Sequence, residues 1–542
     1  MNSRNILVAI LTLAFILRIV GITYGLPLTV VADEPAHLYG ALQMLETSTL
    51  IPGLHPNEFL QKLYFPPYLS YIFLPFIVVV LGIWFIFSHI SIDVFKLIVA
   101  LDPSYLFLTI RFLSVLAGTI TVYLVYKAAK NIFNEEKPAL LAATVLALSF
   151  LHVNFSHWGR HWSFVTLIFT LIIWALSRAD VSLKYKYLST ALLTGIGFGI
   201  NYQAGIAAVL ILLWFLFIDK ISFLRAIRTK WVWEVVTCFV ILIGIVVALY
   251  PQNLSVISPA SVARYSIDEP AGLYGFLWSY YFYLKQLFLA EPAFLLAFLI
   301  GLITSLRNNV LRRFTLISII FISIYIAVFY FVFHLQGRYI LMLYPLLAII
   351  AGFGLSKIWK WPALVLLAMM FITALRFDQL LIKNDTRVQA REWIFEHVSE
   401  QTKVAVLARL ARLPSTPEAI TEQELLDRES LRKIDQAERT LPPELQPLPQ
   451  YHALNLGTVK GELFSSLPEY LRSHNYEYML VSPEFTTSRA TSLNQLGNSV
   501  SKFEGYDESD DINDLTNGFG GGLPFLFSGR SNGPTIEILR IR

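Results

Sequence analysis

Apolar runs of about 20 residues, the length a helix needs to cross a hydrocarbon core, recur through the first 380 positions and close at polar turns. They predict helices over 6–24, 68–88, 105–127, 232–250, 286–306, 314–333, 338–356 and 361–380. The run 188–218 is too long for one upright span and is interrupted at Asn201-Tyr202-Gln203, which predicts two shorter helices with a turn between them. Tyr68 to Ser88 is long enough to cross, whereas Ser91 to Leu101 is short for a return. A re-entrant or interface-lying helix fits that segment as well as a hairpin does. The first run, Ile6 to Tyr24, is long for a signal core, and the small-residue stretch Val30-Val31-Ala32 lies well past its end. It reads as an uncleaved first helix.

The pattern changes after Arg376. From Lys383 charged residues replace the apolar runs, and Asp385-Thr386-Arg387 leads into a helix carrying Trp393 and Ile394. Val404–Ala408, Tyr478–Ser482 and Thr535–Ile541 read as strands, and residues 414–450, rich in Pro, Glu and Gln, as a helical insertion. The glycines from Gly518 to Gly522 lack the spacing and the Lys of a phosphate-binding loop and read as flexible. The expected fold is a polytopic α-helical membrane protein of about 11–13 spans plus interfacial helices, with a C-terminal extracytoplasmic α/β domain. Its parts are a transmembrane domain over 1–380, with a first outer loop at 25–67, and a soluble domain over 381–542.

Composition agrees: 56% of the 542 residues are hydrophobic and 15% charged, and a net charge of +4 is too small and dispersed for a nucleic-acid partner. The single cysteine, Cys238, lies in an apolar run and supports neither a disulfide framework nor a thiolate metal site. Lysine and arginine give orientation. The short basic connections near Lys127-Lys130-Lys137, Lys184-Lys186, Arg225-Arg228, Arg307-Arg312-Arg313 and Lys357-Lys360 belong on the cytoplasmic side. Asp33, the 153–162 turn, the 251–285 loop, the Gln336-Gly337-Arg338 turn and everything past 381 then emerge outside, so the polar chemistry collects on one face.

Asp33 and Glu34 stand at the outer mouth of the first helix, where carboxylates are costly unless they have a task or cap the next helix. Arg338, at an outer helix end, has the planar fork that binds phosphate oxygens, or it is an interface anchor. Arg160 and His161, between Trp158 and Trp162, fit an ordinary interface turn as well as a phosphate site, and Lys285 follows an aromatic run at Tyr280, Tyr281 and Tyr283. Arg111 lies inside an apolar segment and should face the interior, where it pairs with a carboxylate or lines a cavity. His37 could contact an acceptor or simply pack.

An N-terminal span, then Asp33-Glu34 with His37 and Tyr39, then Tyr64-Phe65-Pro66-Pro67-Tyr68 resembles the first outer loop of the C-type membrane glycosyltransferases. Within them the likeness is to the protein O-mannosyltransferase and aminoarabinose-transferase group. Arg111 with Ser114 and Gly118, Arg338-Tyr339 with Pro345, and Asp385-Thr386-Arg387 with Trp393-Ile394 extend it in order over about 400 residues. The resemblance implies transfer of a sugar from a polyprenyl-phosphate donor to a lipid, glycan or protein acceptor on the outer face of a prokaryotic plasma membrane, by inversion. It implies Asp33 as catalytic base, Glu34 beside it in the catalytic pair to orient Asp33 or the acceptor, and Arg338, Arg160 and Lys285 as candidates for the donor phosphate. His37, Arg111, His161 and Tyr339 would support the acceptor or the structure. Two departures stand out: Phe65 replaces the Lys or His that members often carry before Pro-Pro, and the 157–162 turn holds no carboxylate. No metal ligands are assigned, though a divalent cation stays open. A transporter or lipid flippase, or a silent scaffold that binds lipid-linked sugar, are the rival classes. The charge bias also yields a test of orientation. In a Cys238→Ser background, a cysteine at Asn384, past the last span, should react with an impermeant thiol reagent on intact cells and one at Asn309 should not; the reverse would invert the topology.

Overall fold

The computed structural model describes every residue except 1, 32, 61, 258–271, 310, 333–334, 409, 458–461, 483–496, 506–521 and 530. The glycine cluster, apart from Gly522, lies outside the described residues. The chain divides into two compact units: Met1–Ile22, Asp33–Ile77 and Thr109–Asp378 form the first, and Thr23–Ala32, Val78–Leu108 and Gln379–Arg542 the second.

The apolar runs become helices close to where they are expected: α1 (Ser3–Ile19), α2 (Glu34–Glu46), the short α3 (Pro56–Phe59), α4 (Tyr68–Ser88), α5 (Ile92–Leu101) and α6 (Ser104–Phe133). Next come α7 (Glu136–Leu148), α8 (Phe150–Ser156), α9 (His161–Ser177), α10 (Leu183–Ile200), α11 (Ala207–Phe217), α12 (Phe223–Ile227) and α13 (Lys230–Leu249). The break at Asn201 is real: the Asn201 side chain caps a single 3-10 stretch, Tyr202–Ile206, between α10 and α11. The span expected over 286–306 is instead divided at Glu291 into α14 (Gly272–Ala290) and α15 (Pro292–Arg307), because Pro292 has no N–H to continue the preceding helix. Helix α14 also replaces part of the loop expected over 251–285; residues 258–271 of that loop lie outside the described residues. The helical series closes with α16 (Arg312–Val332), α17 (Tyr344–Lys357) and α18 (Lys360–Ile382).

Among the described residues six helices are long and apolar enough to span, those starting at Tyr68, Ser104, Lys230, Arg312, Gly337 and Lys360. The pair α7–α8, bent by 60°, makes a seventh if it is one broken span. Three shorter apolar helices among the described residues, His161–Ser177, Tyr202–Phe217 and Pro292–Arg307, account for part of the larger expected number. Helix α5 has ten residues and rises about 15 Å, half of a hydrocarbon core, so it does not cross. It packs instead on α21 (Lys433–Thr440) within the second unit. The protein is an integral membrane protein with a small C-terminal sheet region.

In the second unit Asp385 caps α19 (Thr386–His397), accepting from the Arg387 amide at 2.9 Å, the Arg387 guanidinium and the Tyr24 hydroxyl. The region that the sequence reads as an insertion folds as α20 (Pro417–Leu426) and α21, and α22 (Glu462–Ser473) follows. Five strands, β1 (Lys403–Leu407), β2 (His452–Asn455), β3 (Tyr478–Val481), β4 (Gly497–Phe503) and β5 (Ile536–Ile541), lie in the order β2-β1-β3-β5-β4. The first three are parallel and the other pairings antiparallel. Period-2 alternation sends Val404 and Val406 against Ala390 and Ile394 of α19, and Ala405 and Leu407 against Leu467 and Leu471 of α22.

In the first unit, one ion pair ties the start of α2 to the middle of α6. Arg111 donates from Nε and Nη2 to the two oxygens of Glu34, both at 2.7 Å, and from Nη1 to the Ile22 carbonyl at 2.7 Å. Both side chains are fully buried, and the Gly159 amide donates to Glu34 at 2.8 Å. Gly159 must stay glycine, since a Cβ there would fall 2.3 Å from Ile110. Arg111 is thus the interior, carboxylate-paired arginine that its place in an apolar run suggests. Removing one partner of such a pair strands the other charge in a dry interior and costs about 3–5 kcal/mol. Glu34→Gln should therefore lower the yield of folded protein and the thermal midpoint in detergent, and not activity alone. A variant as stable as the parent would refute this reading.

Candidate active site

Asp33 occupies the N-cap position of α2 but makes no capping bond, and its backbone is left-handed, φ 61° and ψ −10°. That conformation is uncommon for a residue other than glycine, though Asp tolerates it, and it turns the carboxylate away from the helix end. Of the two readings the sequence left open, the helix cap is therefore not formed. Asp33 Oδ1 accepts from the Tyr64 hydroxyl at 2.7 Å, and Oδ2 from Arg160 Nη2 at 2.8 Å. The side chain keeps 30% of its surface open while Arg160 keeps 1%, so the carboxylate is the accessible member of the pair. Burial pushes the Asp33 carboxyl up, but Arg160, the Tyr64 hydroxyl and Arg338 outweigh it and hold the group below its ordinary value. It is ionised throughout the neutral range.

Arg160 reaches Asp33 from the turn between α8 and α9. Its own pKa is pushed down to about 10, by burial first, with Asp33 opposing. Among the described residues its Nε and Nη1 are buried without a partner, as are His37 Nδ1, His161 Nε2 and Trp162 Nε1. Buried polar groups are paired in nearly all native structures, and the Arg160 and Trp162 nitrogens only donate, so they point to a ligand with acceptor oxygens. His37 Nε2 lies 3.3 Å from His161 Nδ1, one ring donating to the other, and Phe65 packs on both with ring centroids 4.7 Å away. Burial, then the Arg160 charge, pushes His37 down to about 3, so it is neutral.

Arg338 opens the 3-10 stretch Gly337–Leu343, half-buried, with its guanidinium 5.8 Å from the Tyr339 ring. Tyr339 in turn packs against Trp162 at 5.6 Å, and the Arg338 charge acts on Asp33, Arg160 and Tyr64. Asp33, Arg160, Arg338, His37, His161 and Tyr339 thus form one neighbourhood. Glu34 stands behind it, with its oxygens on Arg111 and Gly159 and no exposed surface left for an acceptor. Lys285 is exposed on α14, and no contact among the described residues brings it to the group. Tyr64 is the partner that sequence reasoning passed over, although it stands directly before Phe65-Pro66-Pro67.

The described residues do not fit a divalent cation. No group of three or more His, Cys, Asp or Glu among them could hold one, and both oxygens of Asp33 are engaged by a phenol and a guanidinium. Positive charge comes from two arginines instead.

Residues 94–250 match the family model of dolichyl-phosphate-mannose-protein mannosyltransferases, a stretch that holds Arg111 and the Arg160 turn but not Asp33. No curated protein sequence matches the chain. Among solved structures, the oligosaccharyltransferase of Archaeoglobus fulgidus in complex with Zn and sulfate aligns over 89% of this chain and 68% of its own, at 14% identity and a TM-score of 0.47. ArnT from Cupriavidus metallidurans in the apo state aligns over 92% of this chain and 97% of its own, at 12% identity and a TM-score of 0.47. The same protein bound to undecaprenyl phosphate aligns over 98% and 97%, at 11% identity and a TM-score of 0.47. Over residues 94–250 the chain is similar to the dolichyl-phosphate-mannose-protein mannosyltransferases, within the group that its sequence motifs resemble.

Proposed function

We propose that the protein is a membrane glycosyltransferase that moves a sugar from a polyprenyl-phosphate donor to a lipid, glycan or protein acceptor on the extracytoplasmic face, with inversion. The observation that carries the reading is the Asp33 carboxylate, accessible and ionised, beside a buried Arg160 whose Nε and Nη1 lack partners among the described residues. Asp33 takes the proton of the acceptor hydroxyl as its oxygen bonds to the anomeric carbon and the bond from that carbon to the phosphate oxygen breaks. A carboxylate held by two donors is a weak base. It serves here because the hydroxyl turns acidic only as the new bond forms, so proton transfer comes late in the displacement. One base suffices for a single displacement, whereas a retaining route uses a carboxylate pair, and the neighbouring carboxylate, Glu34, is locked on Arg111.

The departing phosphate gains negative charge. Arg160 Nε and Nη1, with the Arg338 guanidinium, would meet it at the depth of Asp33. His37 and His161, packed on Phe65, would present ring nitrogens to sugar or acceptor hydroxyls. Residues 1–380 would supply this site and the membrane anchorage, and 381–542 the outer domain.

Asp33→Asn keeps the shape of the side chain and removes the base. Transfer of label from a polyprenyl-phosphate sugar should fall by about 10²–10⁴, the usual worth of general-base catalysis, while donor binding persists. Near-normal turnover would refute the assignment. Arg338→Lys should weaken donor binding and Arg338→Ala weaken it further, because a lysine keeps the charge but loses the planar fork. Unchanged donor affinity in both would leave the phosphate to Arg160 alone.

A further inference from the structure

The broken span α7–α8 turns by 60° at Ser149, deep in the helical unit, and a break there exposes carbonyls on one side and amides on the other. Where no water reaches, each such group needs a partner. Two fully or nearly fully buried ionisable side chains meet them. Arg18 of α1 donates Nη1 to the Ala147 carbonyl and Nη2 to the Leu146 carbonyl, both at 3.2 Å, and Nη1 to its own Ala14 carbonyl at 2.8 Å. Its Nη2 also lies 2.7 Å from His152 Nδ1; a guanidinium only donates, so His152 accepts there. On the other side, Glu291 accepts from the Leu151 amide at 3.3 Å and the Ser149 hydroxyl at 3.2 Å, and from Tyr344 at 2.7 Å. Arg18 is 0% exposed and Glu291 5%, and neither forms an ion pair among the described residues. Ionisable side chains so costly to bury are here spent on the ends of a helix break.

The break also sets the aim of the next turn. Helix α8 runs only seven residues before His157, and the turn after it delivers the Gly159 amide to Glu34 and Arg160 to Asp33. Gly118 of α6 lets α8 lie close: a Cβ there would fall 2.3 Å from Ser156 Oγ and 3.2 Å from Arg18 Cδ. A straight continuation of α7 would aim that turn elsewhere. We infer that Arg18 and Glu291 are positioning residues, which hold the bend of α7–α8 by binding its two open backbone ends and so place Arg160 against Asp33. The placement follows from the contacts; its effect on the donor rests on the glycosyltransferase reading.

Hydrogen exchange on the full-length protein in detergent tests the placement without the reaction. In Glu291→Gln and Arg18→Lys, exchange in the 157–162 segment should run at least tenfold faster than in the parent, while β1 and α13 keep parent rates. Affinity for a short-chain polyprenyl phosphate should fall five- to tenfold in both. Parent-like exchange at 157–162 would overturn the inference. So would acceleration spread evenly over α13 and β1, which marks general loss of stability. If the parent itself fails to bind the polyprenyl phosphate, the glycosyltransferase reading falls, and the exchange result still decides the positioning role. Where the parent binds it, parent-like affinity in both variants would overturn the link from the bend to Arg160.

Discussion

A carboxylate and a guanidinium that have both left water can stay charged only if each satisfies the other, and Glu34 and Arg111 do this with two parallel bonds of 2.7 Å. The rest of the site is arranged around that necessity. Arg111 uses its third nitrogen on Ile22 at the end of the first helical segment, and Glu34 uses its spare lone pair on Gly159. The start of α2, the middle of α6 and the turn after α8 are thereby fixed to one point. Asp33 precedes Glu34 and Arg160 follows Gly159, so fixing the first pair also brings Asp33 and Arg160 together.

The two neighbouring carboxylates show how environment divides labour between identical chemistries. Glu34 has every oxygen engaged by fixed donors and no surface, which suits a structural charge. Asp33 sits in a left-handed backbone conformation of the kind that persists only where surroundings impose it, and that is commoner at functional positions. Its partners leave it ionised and open on one side. Arg160 faces both ways, with one nitrogen on Asp33 and two without a partner among the described residues, and in the proposed reaction it links the base to the leaving phosphate.

Much of the helical architecture was legible because a membrane imposes a coarse rule on composition. The limits of α4 coincide with the apolar run, and the Asn201 break is written in three polar residues. The division at Glu291 was not legible: one acid before a proline in an apolar stretch looks like a tolerated irregularity until Leu151 and Ser149 are found on its oxygens. Strands β2 and β4 escaped because the first has four residues and the second is a largely exposed edge without apolar alternation. In the site, Asp33 and Arg338 carried signals of position, and the pairing of Arg111 with a carboxylate followed from the cost of burying it. Tyr64 entered only as the first residue of the Pro-Pro motif, and its bond to Asp33 depends on a fold that brings residues 31 apart together.

The central claim is that a single carboxylate, Asp33, serves one direct displacement at the anomeric carbon. The stereochemistry of the product tests it most directly. With a polyprenyl-phosphate sugar of known anomeric configuration and an acceptor that the enzyme uses, the anomeric proton coupling of the product can be read by NMR before any equilibration. The account gives a product of opposite anomeric configuration to the donor. A product with the donor's configuration would require a second nucleophile that Glu34, locked on Arg111, cannot supply, and would contradict the account.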